Sequence, residues 1–254
     1  MVNRGTGRSM ASIANPGQVP SRASIRDLTL RAGEIARVGC ELVSRELPRN
    51  KPDLLNRIRQ YEEELDHLNR LVNEGIVEEI SGASEPDIRE LLACLKFLLE
   101  LERIGDLLLN VVNRGQSVSA RLEKRDLKDL AAMAGVLTGM LVDALKAFAD
   151  RDLNRVMAVL KADAEVDRLR NLIFLRHIEN QEGESRSGSF HLLYMTQSLE
   201  RVGDHVKNLV GEVCQLITGH SVRHLVHSRQ QPAEHEKFLE WLRRRQGSEP
   251  DSRQ

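Results

Sequence analysis

Apolar residues recur every three to four positions along most of the chain, which is the period of an amphipathic α-helix. No proline lies between Asp87 and Gln231, and this long stretch is rich in Leu, Ala, Glu, Arg and Lys, which favour helix. No segment shows sustained alternation of apolar and polar residues, so we predict no strands. Capping residues, glycines and prolines set the ends of six predicted helices, at about 24–47, 53–80, 84–114, 119–149, 152–180 and 190–218.

Helices of this length, joined by short connections, pack antiparallel as bundles. The chain is therefore predicted to be all-α, with two tandem three-helix bundles over 24–117 and 118–218. Residues 1–23 are small, polar and rich in Pro and Gly, so we expect them to be disordered. The tail, 219–254, is rich in His and Arg and holds a short amphipathic helix near 234–245. That helix either folds back on the bundle, which we favour, or docks on a partner or a membrane surface.

A ten-residue motif occurs twice, as LERIGDLLLN at 101–110 and as LERVGDHVKN at 199–208. A looser acidic element recurs at 62–68 and 163–169. Recurrence in the equivalent helices of two halves is typical of a duplicated unit. Each copy of the motif also has a glycine inside the helix, which costs about 1 kcal/mol relative to Ala. The two glycines are Gly105 and Gly203. We expect them to allow close helix packing or to leave room beside the neighbouring carboxylates.

In both units, an acidic residue stands four positions before an Asp on two of the three predicted helices. Such residues lie on one helix face with Cβ atoms about 5–6 Å apart, where like charges cost a few tenths of a kcal/mol per pair. A single pair of this kind is usually solvated, but its recurrence in both units favours a site for a hard or borderline cation. Two such helices side by side would supply four carboxylates per unit, enough for more than one metal ion. The candidate ligands are Glu62, Asp66, Glu102 and Asp106 in the first unit and Asp163, Asp167, Glu200 and Asp204 in the second.

Composition argues against several other functions. The 37 Lys and Arg residues against 38 Asp and Glu give a net charge of −1, and aromatic residues are 3% of the chain. The chain therefore has no excess of basic residues to neutralise phosphates and few aromatic residues to stack on bases, which argues against nucleic-acid binding. No run of about 18 apolar residues predicts a membrane span, and the N-terminus has no apolar leader.

Cys40, Cys94 and Cys214 lie far apart in apolar-periodic segments and are predicted to be buried thiols of a reducing compartment, which favours the cytoplasm. The sequence contains no nucleophile elbow and no P-loop, so we predict no catalytic residue and no nucleotide-type cofactor.

The doubled L-E-R-[IV]-G-D motif, with the acidic elements at 62–68 and 163–169, resembles the signature of the PhoU family over about residues 25–218. The resemblance implies two tandem three-helix units and a regulatory role rather than catalysis. The implied partners are the ATPase subunit of a phosphate-specific ABC transporter and a membrane-bound phosphate-sensing histidine kinase. Some family members bind multinuclear iron or zinc clusters through E/D-x-x-x-D pairs, which maps such a metal onto the carboxylates named above. We also expect a homodimer.

Two alternatives remain open from the sequence. A ferritin-like di-metal carboxylate oxidase would need Glu-x-x-His on two helices, with both motifs projecting inward. Glu64 and His67 have that spacing, whereas the repeat partner Glu165 is followed by Arg168 where histidine is required. The other alternative is a metal-free helical scaffold whose acidic residues are simply solvated.

Overall fold

The structure is a computed structural model, and it describes residues 20–118, 122–179, 186–219, 240–241 and 244. The helices are α1 (Arg22–Glu46), α2 (Leu54–Glu79), α3 (Glu85–Val118), α4 (Lys124–Asp150), α5 (Leu153–Glu179) and α6 (Arg186–Thr218). Short 3-10 turns, Leu47–Arg49 and Ile80–Gly82, follow α1 and α2. These described residues contain no strand, so the prediction of an all-α chain is confirmed.

Four helix ends differ from the predicted ones by two residues or more. The fourth helix, predicted from 119, begins at Lys124, because Glu123 before it is extended. The first helix begins at Arg22, because Ser21 is extended and serves as its N-cap residue, so the end of the segment expected to be disordered is ordered. The third helix continues through Gly115, since this glycine packs in the core: an added Cβ would lie 2.9 Å from Leu47 Cδ1 and 3.1 Å from Met195 Cε. The sixth helix already begins at Arg186. The predictions for residues 1–19 and for most of the tail lie outside the described residues.

The two three-helix units are fused into one body. Within each unit the three helices pack on one another, and between the units α1 packs on α4 and α3 packs on α6. One continuous hydrophobic core results. It includes Phe97 of α3 and Phe148 of α4, whose ring centroids are 4.4 Å apart. Trp241 of the tail is half-buried and packs against this core, which agrees with the tail helix folding back at that residue.

The three cysteines are buried in the core and form no disulfide, as the sequence predicted. Burial raises the pKa of Cys40 and of Cys214 to about 12. It also raises the pKa of Cys94, to about 11. Because the thiolate is the reactive form, these residues act as packing groups.

The helix α4 is long and apolar enough to cross a membrane, judged by length and composition alone. It packs against α1, α5 and α6, and Leu130, Met133 and Leu137 on it have no exposed surface. The core of the bundle therefore accounts for its apolar character.

Close contact between the units depends on a glycine of α1, and its replacement tests the fused architecture. A Cβ on the buried Gly33 would overlap Leu145 Cδ2 of α4 and lie 3.2 Å from Leu145 Cγ. We predict that Gly33→Leu lowers the free energy of unfolding by about 1–3 kcal/mol, because overpacking strains a dense core. The matched control is Gly139→Leu at an exposed helical position with no atom within 4 Å of an added Cβ. In this control the free energy of unfolding should stay unchanged or rise by up to about 1 kcal/mol, because leucine favours helix more than glycine does. Urea unfolding measures both, and equal effects would contradict the assigned α1–α4 contact.

Candidate functional site

In the first unit, Gly105 lets α2 and α3 approach closely. A Cβ at this position would lie 2.8 Å from Leu65 Cδ1 and 4.0 Å from Glu62 Cα. The glycine is therefore needed for helix packing, and the same approach places the acidic face of α2 beside that of α3. We call the four carboxylates on these faces the first patch; its members are Glu62, Asp66, Glu102 and Asp106.

The carboxylates of the first patch act on one another electrostatically. Burial, followed by the neighbouring charges of Asp66 and Asp106, raises the pKa of Glu62. The same causes in the same order raise the pKa of Glu102, and burial followed by Asp66 raises the pKa of Asp106. These like charges lie within interaction range in partly desolvated positions. The structure thus brings together the four residues that the sequence singled out in this unit.

An amide of α2 also belongs to the first patch. The Asn69 Nδ2 group donates a hydrogen bond to Glu102 Oε2, and Asn73 Nδ2 donates to Asn69 Oδ1 at 2.8 Å. Asn69 was not among the residues predicted from the sequence. Its position two helical turns after Glu62, on the same face, was the available signal.

The second unit places equivalent residues around its motif glycine, with more room than in the first unit. A Cβ on Gly203 of α6 would lie 3.5 Å from Asp163 Oδ1 and 3.8 Å from Val166 Cγ1. In the alignment of the two repeats, Asp163 and Val166 correspond to Glu62 and Leu65, the neighbours of the first glycine. We call the corresponding carboxylates the second patch; its members are Asp163, Asp167, Glu200 and Asp204.

Two basic side chains pair with carboxylates of the second patch. The Lys207 Nζ atom lies 2.8 Å from Asp163 Oδ2 and 2.9 Å from Asp204 Oδ1. The Arg170 Nε atom lies 2.8 Å from Glu200 Oε2. Neither basic residue was among those predicted from the sequence. The available signal was a difference between the repeats, because Lys207 stands in the copied motif where the first copy has Leu109.

In the described part of the chain, no group of three or more His, Cys, Asp or Glu side chains is arranged to hold a metal ion as it stands. In the first patch the residue types and the mutual repulsion suit a cation, and ligation would require these side chains to rotate toward a common point. In the second patch, the basic partners lie beside the candidate ligands. Metal ligation by either patch therefore stays a prediction.

A polar cluster that the sequence did not reveal joins the two units. Glu100 of α3 is buried, and its Oε2 atom lies 2.6 Å from His205 Nδ1 of α6. The Asn208 Nδ2 group donates to the same oxygen at 2.9 Å. Both α6 residues belong to the copied motif, and here they contact α3 rather than a metal. They orient the helix that carries part of the second patch.

The residues proposed for a ferritin-like site do not project inward together. Glu64 pairs with Arg31 of α1, and His67 is exposed. Glu165 pairs with Arg168 at 2.7 Å, and both of these side chains are exposed. The inward-facing arrangement that a di-iron carboxylate centre needs is therefore not formed by these residues.

Substituting the equivalent glutamates of the two patches should change stability in opposite directions. Because its folded-state pKa is raised, ionised Glu102 destabilises the fold above that pKa, and the penalty disappears as the pH falls toward the ordinary carboxyl value near 4. We predict that Glu102→Gln raises the free energy of unfolding at pH 7 by a few tenths to about 1 kcal/mol, and that this gain is lost near pH 4.

Glu200→Gln should lower the free energy of unfolding by about 1 kcal/mol, because the substitution breaks the ion pair with Arg170. Urea unfolding with a chelator present measures both, and a loss of stability in Glu102→Gln would contradict the repulsion in the first patch.

Comparison with known proteins places these repeats in a family. The family model for the PhoU domain matches residues 29–115 and again 130–213. The phosphate-specific transport system accessory protein PhoU homolog 1 of Thermotoga maritima is 30% identical over 175 residues, which are 67% of this chain and 75% of that protein. The corresponding PhoU homolog of Xylella fastidiosa is 26% identical over 193 residues, covering 75% of this chain and 82% of that protein. The crystal structure of PhoU from Pseudomonas aeruginosa has the same fold, with a TM-score of 0.69 at 22% identity over 78% of this chain and 97% of that chain. With the domain model matched once in each three-helix unit, the chain belongs to the PhoU family.

Proposed function

We propose that this protein is an accessory regulator of phosphate-specific transport that acts by binding other proteins. The observation that carries the proposal is the PhoU domain matched in both units, with relatives named as accessory proteins of that transport system. Its partners are the ATPase subunit of the phosphate ABC transporter and the phosphate-sensing histidine kinase. Both have cytoplasmic parts, so the proposal places the chain in the cytoplasm, where buried free thiols are stable. We also propose that it works as a homodimer.

We further propose that the first patch binds iron or zinc. The supporting observation is electrostatic: burial and the charge of Asp66 raise the pKa of each of the other three carboxylates in the patch. When bound, the cation supplies positive charge that offsets this repulsion, so it stabilises the contact between α2 and α3. Protons compete for the same oxygens, and affinity therefore falls as the pH drops through the raised pKa values. Rotation of the side chains of Glu62, Glu102 and Asp106 toward Asp66 would complete the ligand set.

Regulation of phosphate transport is tested in cells that lack the gene for this protein. We predict that the deletion strain expresses a phosphate-starvation reporter in high phosphate, because the kinase is no longer restrained. The full chain should restore repression and should co-purify with the transporter ATPase subunit. Normal repression in the deletion strain, together with no recovery of the ATPase subunit in the pull-down, would contradict the proposal.

Metal binding is tested by elemental analysis of protein expressed without a chelating tag. We predict iron or zinc above background in the wild-type protein and its loss in Glu102→Ala/Asp106→Ala, because two of the four ligands are removed. The control variant is Glu74→Ala/Glu78→Ala, which removes an exposed acidic pair with the same spacing on α2 and should keep the metal. Metal content at background in the wild type, or equal losses in both variants, would refute the metal site.

A further inference from the structure

The two acidic patches differ in charge although the repeat places equivalent helices around them. At two aligned positions, the first patch has the neutral residues Asn69 and Leu109, and the second patch has Arg170 and Lys207. Asn69 donates to Glu102, and Arg170 pairs with the aligned glutamate Glu200. The second unit therefore carries two positive charges at places where the first has none.

Lys207 is held deep inside the second patch. The residue is only 1% exposed, and its ammonium group bridges carboxylates of two helices, at 2.8 Å from Asp163 on α5 and 2.9 Å from Asp204 on α6. Asp163 is itself buried. A buried ammonium is stable only when it is paired and hydrogen-bonded. Its exit to solvent would break both pairs and leave a space in the core.

A metal ion at the second patch would compete with this ammonium for the same oxygens. Asp163 Oδ2 and Asp204 Oδ1 already accept from Lys207 Nζ, so a cation bound to them would lie within a few ångströms of a positive charge. The two cations repel each other strongly at that separation in a partly buried site. Glu200, another candidate ligand, is paired with Arg170 in the same patch.

We propose that Lys207 is a built-in cation that takes the place of metal in the second unit, so that this chain loads metal at the first patch alone. The inference rests on the proposed metal binding of the first patch, and it adds a division of roles. Three of the four carboxylates on the α5–α6 pair have a basic side chain of the same unit as partner at every metal concentration. The α2–α3 pair has neutral residues at the two aligned positions, so the first unit is the part that responds to metal.

Anomalous diffraction from crystals of the wild-type chain grown with Zn²⁺ locates the metal directly and requires no variant. We expect anomalous density between Glu62 and Asp106, with none at Asp163 and Asp204. Density at the second patch would overturn the role of Lys207. Density at neither patch would refute the proposed metal binding, and the Lys207 variant described next then decides whether the lysine excludes metal.

Lys207→Leu places in the second unit the residue that the first unit has at the aligned position. We expect roughly a doubling of bound Zn²⁺ per chain and a larger Zn²⁺-dependent rise in Tm than in the wild type. In the Glu102→Ala/Asp106→Ala background, the same change should create Zn²⁺ binding where there was none. Lys207→Arg keeps the positive charge and should give no gain. No gain of Zn²⁺ by a folded Lys207→Leu variant, checked by circular dichroism, would overturn the inference independently of the first patch.

Discussion

The constraint on which this molecule depends is the approach of two acidic helix faces at a glycine. A Cβ at Gly105 would lie 2.8 Å from Leu65 Cδ1, whereas a Cβ at Gly203 would make an ordinary contact of 3.5 Å with Asp163 Oδ1. Close packing of this kind brings carboxylates together where water screens them poorly, and their repulsion must be offset by protons, amide donors or cations. The first unit uses raised pKa values and an amide, and the second uses basic side chains.

The contacts between the units connect this local chemistry to the whole bundle. The helix α3 carries half of the first patch and also Glu100, which binds His205 and Asn208 on α6. One turn before Glu100, Lys96 pairs with Glu212 of α6 at 2.8 Å. A cation that draws α2 and α3 together therefore acts on a helix that is part of the joint between the units. Under the proposed metal binding, a change at the first patch would therefore reach the contacts between the units.

The sequence predicted the helices because their apolar period is strong over long segments, and it predicted the carboxylate face because i,i+4 spacing fixes which side chains share a face. It misjudged Gly115, since glycine ends helices and also permits close packing, and only the partners Leu47 and Met195 distinguish these cases. Lys207 was missed for a different reason. The repeats share their carboxylates and glycines, whereas the basic residues of the second patch stand at positions where the repeats differ. The packing of α3 on α6 could not be predicted from the sequence either, because the apolar period of a helix does not specify which helix of the other unit it contacts.

Under the proposed division of roles, the difference between the halves would allow one chain to be both stable and responsive to metal. A bundle in which both acidic surfaces awaited a cation would lose stability in both units when the cation is scarce. Here the ammonium of Lys207 is attached to the chain, so its effective concentration beside Asp163 does not depend on solution conditions. The second unit can therefore hold the shared core in place while the first unit changes with its ligand. Because the units are joined along α1–α4 and α3–α6, a change in the first unit would act against a second unit that keeps its ion pairs.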